Sequence, residues 1–160
     1  MTDIKKIKPN GPYKTGFYVP NNPDKYVGDI NNIICRSSWE FRFAKYCDSN
    51  ERILKWSSEP VPIPYYNPLD KKDHVYNVDN YIRVLKDDNT EQDWLIEVKP
   101  EKQHTKPKLE GNVTMKKLKS YNHKMQVWIT NQSKFKAAKQ WAEGRGYKFG
   151  VVNENFLFSK

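Results

Sequence analysis

No stretch of this 160-residue chain approaches the roughly 20 consecutive apolar residues that a bilayer-spanning helix needs. The opening residues, Met1-Thr2-Asp3-Ile4-Lys5-Lys6-Ile7-Lys8, lack the long apolar core of a secretion signal. These two absences predict a protein without a membrane partner that folds in a reducing cytoplasm. Cysteine is scarce: Cys35 and Cys47 are the only two, 12 positions apart at either end of a predicted helix. At the helical rise that is about 18 Å, far beyond the ~7 Å Cα separation a disulfide tolerates. Neither has a ligating neighbour at CxxC spacing, which argues against zinc, so both read as packing residues. His74, His104 and His123 are scattered without ligand spacing and read as surface or loop residues. A nucleophile elbow and a phosphate-cradling glycine loop are both missing, which removes serine-hydrolase and P-loop chemistry.

Aromatic residues, by contrast, make up 14% of the chain, too many for a disordered one. The length suits one domain with a substantial core. The formal net charge of +9 is unevenly placed. Residues 1–98 hold 14 Lys+Arg and 15 Asp+Glu, a net of −1, whereas residues 99–160 hold 14 and 4, a net of +10. A polyanion such as double-stranded DNA is the natural partner of that second part. The bland reading is a lysine-rich face that serves solubility. The lysines do not line one face of an amphipathic helix, which argues against a lipid surface.

Residues 1–34 carry four prolines and three glycines and read as an extended N-terminal arm. Tyr13, Phe17, Tyr18 and Tyr26 in it suggest packing on the domain or on a partner. Residues 35–160 form the predicted domain. A helix is expected from Ser37 or Ser38 to Asp48-Ser49-Asn50, with Ser37 and Glu40 as a capping box and Trp39, Phe43, Tyr46 and Cys47 on one face. Two prolines in Val61-Pro62-Ile63-Pro64-Tyr65 suit an edge strand. His74 to Val84 reads as one strand, joined by the turn Lys86-Asp87-Asp88-Asn89 to Trp94–Val98 as an antiparallel hairpin. Thereafter the pattern predicts a lysine-rich loop, a short helix over 114–122 with Met115, Leu118 and Tyr121 inward, a strand over 126–130, a helix over 133–143 and a last strand over 147–152. The order implies an α/β sandwich around a mixed sheet.

The most informative stretch is Trp94-Leu95-Ile96-Glu97-Val98-Lys99-Pro100. On a strand, Trp94, Ile96 and Val98 face one way, while Leu95, Glu97 and Lys99 face the other. An acid and a base side by side among apolar neighbours are costly to bury unless they are paired or hold a metal. With Asp79 on the preceding strand, this is the layout of a metal-dependent phosphodiesterase. Asp79 and Glu97 could hold one Mg²⁺, with the Val98 carbonyl as a third ligand. Lys99 then either orients or deprotonates the attacking water, or stabilises charge on the phosphorane. Glu-x-Lys alone equally fits an exposed ion pair on a half-solvated strand. Glu40 has two readings as well: helix cap, or outer ligand to metal or water. Seven lysines downstream of the acid strand, Lys102, Lys106, Lys108, Lys116, Lys117, Lys119 and Lys124, are the candidate DNA contacts.

The helix with Glu40, the strand with Asp79 and Glu97-Val98-Lys99 together resemble the PD-(D/E)XK nuclease superfamily, which includes restriction and transposon-end endonucleases. The likeness covers most of residues 36–154, including the segment from Ile129 to Val152. Tyr18-Val19-Pro20, Asn22-Pro23, Lys25-Tyr26, Gly28-Asp29 and Arg36-Ser37-Ser38-Trp39-Glu40 further resemble the head-completion nucleases of tailed bacteriophages. One departure is Val78-Asp79-Asn80, where the superfamily usually has Pro-Asp and an apolar residue. The resemblance implies a restriction-endonuclease-like αβββαβ core and Mg²⁺-dependent DNA cleavage, with Mn²⁺ able to substitute. It also implies a place in finishing phage heads after packaging, in the host cytoplasm or on the virion, with the arm meeting head or portal proteins. Two alternatives stay open: a non-catalytic structural protein of the virion neck that grips DNA with a nuclease fold, and a transposase-associated or repair nuclease.

Overall fold

A computed structural model describes residues 16–159. Its centre is a four-stranded mixed sheet in the order β3 (Ile53–Ser58), β6 (Asn80–Leu85), β7 (Glu91–Val98), β8 (Lys148–Val152). The first three strands run antiparallel, and β8 lies parallel to β7 with Glu97 opposite Val151 and Val98 opposite Val152. Parallel neighbours require a crossover, and the chain between them supplies it as α2 (Glu101–His104) and α3 (Met115–Glu143). Helix α1 (Ser38–Ser49) precedes the sheet, and the one-turn α4 (Glu154–Leu157) follows it. The core order is therefore α1-β3-β6-β7-α3-β8, the αβββαβ arrangement expected.

Strand alternation divides the core in two. Ile96 and Val98 join Phe43, Ala44, Cys47 and Trp56 beneath α1, with Trp94 packed against them. Leu95 packs with Ala138 and Ala142 of α3 on the other face. Cys35 and Cys47 are free and buried, and burial pushes the Cys35 thiol up to about 12.

Two sequence expectations fail here. The run from His74 to Val84 is not one strand. Its first part is β5 (Lys72–Asn77), paired with β4 (Pro62–Asn67) in a separate two-stranded ribbon, and its second part is β6. The break falls at Val78-Asp79, where Val78 is fully buried and the Asp79 carbonyl accepts the N–H of Glu59. The prolines of β4 sit, as expected, where no third strand needs their missing donors.

The helix–strand–helix expected over 114–143 is a single 29-residue helix. No glycine or proline lies between Thr114 and Gly144, so nothing interrupts the backbone ladder. Val127-Trp128-Ile129 takes up three successive helical positions, each only half-buried, and three adjacent apolar residues cannot by themselves distinguish the two periods. The helix is about 43 Å long at 1.5 Å per residue. Its inner stripe is Asn131, Phe135, Ala138 and Ala142; the first two turns project, and Met115, expected inward, is 72% exposed.

The described part of the arm is packed onto the domain. β1 (Gly16–Phe17) pairs with β2 (Ile34–Cys35), and Ile33 is fully buried. Tyr18 and Tyr26 set their edges against Trp56. Buried Asp48 accepts the Tyr18 hydroxyl and the backbone N–H groups of Asn21 and Asn22. Lys25 Nζ donates to the carbonyls of Cys47, Asp48 and Asn50, satisfying the open end of α1. Tyr13 lies outside the described residues.

Candidate active site

The site forms where the ribbon, the end of β7 and the start of α1 converge. Asp79 stands at the ribbon-to-sheet break, and its Oδ2 accepts the Val98 N–H at 2.8 Å. Glu97 lies on the α3 face of β7 with its side chain 4% exposed. Its Oε1 accepts Lys99 Nζ at 3.3 Å, while Oε2 is buried with no hydrogen-bond partner among the described residues. Burial, then the Glu97 carboxylate and then Glu40, drive the Asp79 pKa well above the carboxylate range. Burial raises Glu97 too, opposed by the ammonium groups of Lys99 and Lys134. Two enclosed acids that repel one another, one with an orphaned oxygen, favour a proton or a cation over two bare carboxylates.

Glu40 sits on the adjoining wall. The Ser37 Oγ accepts the Glu40 N–H at 3.2 Å, capping α1. In return Glu40 Oε2 accepts the Arg36 N–H at 2.8 Å, and Oε1 accepts the Ser37 hydroxyl at 3.1 Å. Both oxygens are thus engaged at the helix start, with the Arg36 N–H, one residue before the cap, in place of the Ser37 N–H of a standard capping box. A cleft of about 590 Å³ runs between this helix start and the end of β7, lined by Trp39, Glu40, Val98, Lys99 and Lys102 among others. A larger hollow of about 740 Å³ lies across Ser57, Tyr81, Arg83 and Trp141, and neither Asp79 nor Glu97 is among the lining residues of either one.

The donors suit a hard divalent cation: carboxylate oxygen from Asp79 and Glu97. Among the described residues no three His, Cys, Asp or Glu side chains cluster as a metal site. The orphaned Glu97 oxygen is the atom such an ion would satisfy.

Sequence reasoning missed Lys134. It extends from α3 half-buried, its Nζ 5.5 Å from the Tyr76 ring centre and 5.7 Å from that of Tyr65. The Tyr76 hydroxyl donates to the Lys134 carbonyl, fixing helix against ribbon. Burial lowers the Lys134 pKa, as does the charge of Lys99, while Glu97 and Asp79 hold it up. A strand over residues 126–130 would leave Lys134 near the exposed start of a short helix. On a continuous helix it borders the stripe through Asn131, Phe135 and Ala138, and that adjacency is the signal in the sequence that could have found it.

The seven candidate lysines fall into two groups. Lys116, Lys117 and Lys119 stand exposed on the projecting end of α3. Lys102, Lys106, Lys108 and Lys124 surround a second cleft of about 450 Å³ between α2, the loop after it and α3.

Residues 50–154 match the family described as TnsA-like endonuclease N terminal. That span holds Asp79, Glu97, Val98, Lys99 and Lys134 and leaves out Glu40. The chain is also similar to the head completion nuclease of Enterobacteria phage T4, with 35% identity over 143 residues, 89% of this chain and 93% of that protein. No solved structure gives a significant match. The αβββαβ core, the acid pair at the sheet's break and a match over most of its length agree, and this chain belongs to the TnsA-like endonuclease N-terminal family.

Proposed function

We propose that this protein is a Mg²⁺-dependent DNA endonuclease, with Mn²⁺ able to substitute, acting in phage head completion. The observation that carries the reading is the orphaned, buried Oε2 of Glu97 beside Asp79 and Lys99. Asp79 and Glu97 hold the cation, with the Val98 carbonyl as a further oxygen. When bound, such an ion supplies charge neutralisation at the phosphodiester and a lowered water pKa. Asp79 also shapes the backbone, because its bond to the Val98 N–H sets the end of β7 and with it the direction of the neighbouring carbonyl. Lys99, restrained by Glu97 Oε1, orients the attacking water or donates to a phosphoryl oxygen. Glu40 acts through the cap, holding the cleft wall and adding negative charge behind Asp79. The lysines from Lys102 to Lys124 bind DNA phosphates.

The likeness to a head completion nuclease over nearly the whole chain supports the phage role. On this reading the protein works in the host cytoplasm or on the virion, and the N-terminal arm, residues 1–34, meets head or portal proteins. No helix among the described residues is long and apolar enough to cross a membrane.

The test is incubation of the purified chain with supercoiled plasmid in Mg²⁺, Mn²⁺ or chelator. Nicked and linear products should form only with a divalent cation and should vanish in Glu97→Gln. Cleavage that persists in chelator, or in Glu97→Gln at the wild-type rate, refutes the proposal.

A further inference from the structure

Two clefts flank α2, and the first is lined by Lys99, the partner of Glu97 Oε1. Lys102 and Gln103 line both: the first opens onto Glu40, Val98 and Lys99, the second onto Lys106, Lys108, His123 and Lys124. Between them lies α2, a single turn that forms a saddle. The saddle is fixed on both sides. Asn131 Nδ2 and Gln132 Nε2 of α3 donate to the carbonyls of Gln103 and His104, and the Glu101 N–H donates to Glu154 Oε2. Neither cleft can therefore widen by moving α2 without breaking these bonds.

Volumes of about 590 and 450 Å³ are those of small-molecule sites, room for about a nucleotide each. Duplex DNA is stiff, with a persistence length near 50 nm, and following a one-turn saddle closely costs it deformation energy. A single strand follows it without that cost. The lining also matches what single strands need: an aromatic face for a base and cations for the backbone. Trp39 is the aromatic side chain that lines the first cleft, and Lys102, Lys106, Lys108 and Lys124 line the second. Lys116, Lys117 and Lys119, by contrast, stand open on the projecting helix, where a duplex can approach.

We propose that the substrate is DNA with a single-stranded segment next to the cut, and that this segment runs from the acid pair across α2 into the Lys106–Lys108–Lys124 cleft. The inference rests on the nuclease reading of the acid pair and names the substrate class of that site.

The test measures fluorescence anisotropy of the full chain carrying Glu97→Gln, in chelator, on three DNAs of one sequence: blunt duplex, flapped duplex and single strand. The flapped duplex should bind at least tenfold more tightly than the blunt one. Adding Lys106→Gln, Lys108→Gln and Lys124→Gln should bring the flap-to-blunt ratio toward one. Adding Lys116→Gln, Lys117→Gln and Lys119→Gln instead should weaken both DNAs alike and leave the ratio unchanged. Equal affinity for flapped and blunt DNA, or a ratio untouched by the Lys106/Lys108/Lys124 changes, overturns the proposal. The wild-type chain is then given the same DNAs with Mg²⁺ or Mn²⁺. Equal cutting of blunt and flapped duplex sinks the single-strand assignment and keeps the nuclease reading, whereas no cutting of any DNA sinks the nuclease reading itself.

Discussion

The carboxylate of Asp79 accepts the backbone N–H of Val98 at 2.8 Å, so the upstream acid is joined to the end of the strand that carries Glu97 and leads into Lys99. Stability and catalysis meet in that bond, and substitution can separate them. Asp79→Asn keeps an oxygen for the Val98 N–H and should unfold near the wild-type temperature, yet lose cation-dependent cleavage. Asp79→Ala leaves an enclosed donor unpaired, which costs about 1–3 kcal/mol, and should lower Tm as well. Thermal melts of the two beside plasmid assays decide. Full cleavage by Asp79→Asn would remove Asp79 from the metal-holding pair.

Lys134→Met retains the aliphatic stem over Tyr65 and Tyr76 and removes the charge facing Glu97. Cleavage should fall about 100-fold or more, the scale of removing one electrostatic stabiliser from a reacting centre, with little change in Tm or in DNA affinity. Wild-type turnover in Lys134→Met would make this lysine a packing residue between α3 and the ribbon.

Reversing Lys116, Lys117 and Lys119 to Glu should weaken duplex binding on every sequence alike. For each phosphate that no longer meets a lysine, the slope of log affinity against log salt should flatten by about 0.9. The measurement is a salt series by anisotropy. An unchanged slope would mean that the projecting end of α3 is only a solvated surface.

Asp48 predicts how the arm responds to acid. Burial alone would raise its pKa, but the N–H groups of Asn21 and Asn22 and the Tyr18 hydroxyl outweigh it, and the net shift is downward. An acid whose folded pKa is depressed contributes stability above its unfolded value, near 3.9, and loses it as pH falls through the folded value. Wild type should therefore lose more stability between pH 5 and acid conditions than Asp48→Asn. Protease sensitivity around residues 18–26 should rise in the same window. Parallel pH–stability curves for the two proteins would show that Asp48 does not couple the arm to pH.

The acid strand was legible because strand alternation alone puts Glu97 and Lys99 on one face, and the burial of Leu95, Ile96 and Val98 follows from the same pattern. The α1 cap was legible for a similar reason: Ser37 and Glu40 carry their geometry in their spacing. What escaped depended on long-range partners. The split at Val78-Asp79 occurs because the two halves of one β-prone run find different strands, β4 and β3, which no local pattern records. Val127-Trp128-Ile129 has the composition of a strand core, and only the absence of a breaker through Gly144 favours helix. The same ambiguity conceals Lys134, whose place depends on the helix being continuous.

A continuous α3 has a consequence for how such chains can diversify. From Asn131 onward its side chains pack against the sheet and α2, while the turns near Met115 touch little else. Adding or deleting one turn at that outer end would shift the exposed lysines by about 5.4 Å and rotate their array, with the acid pair undisturbed. Reach toward a partner and chemistry at the cut can thus evolve separately on a single helix.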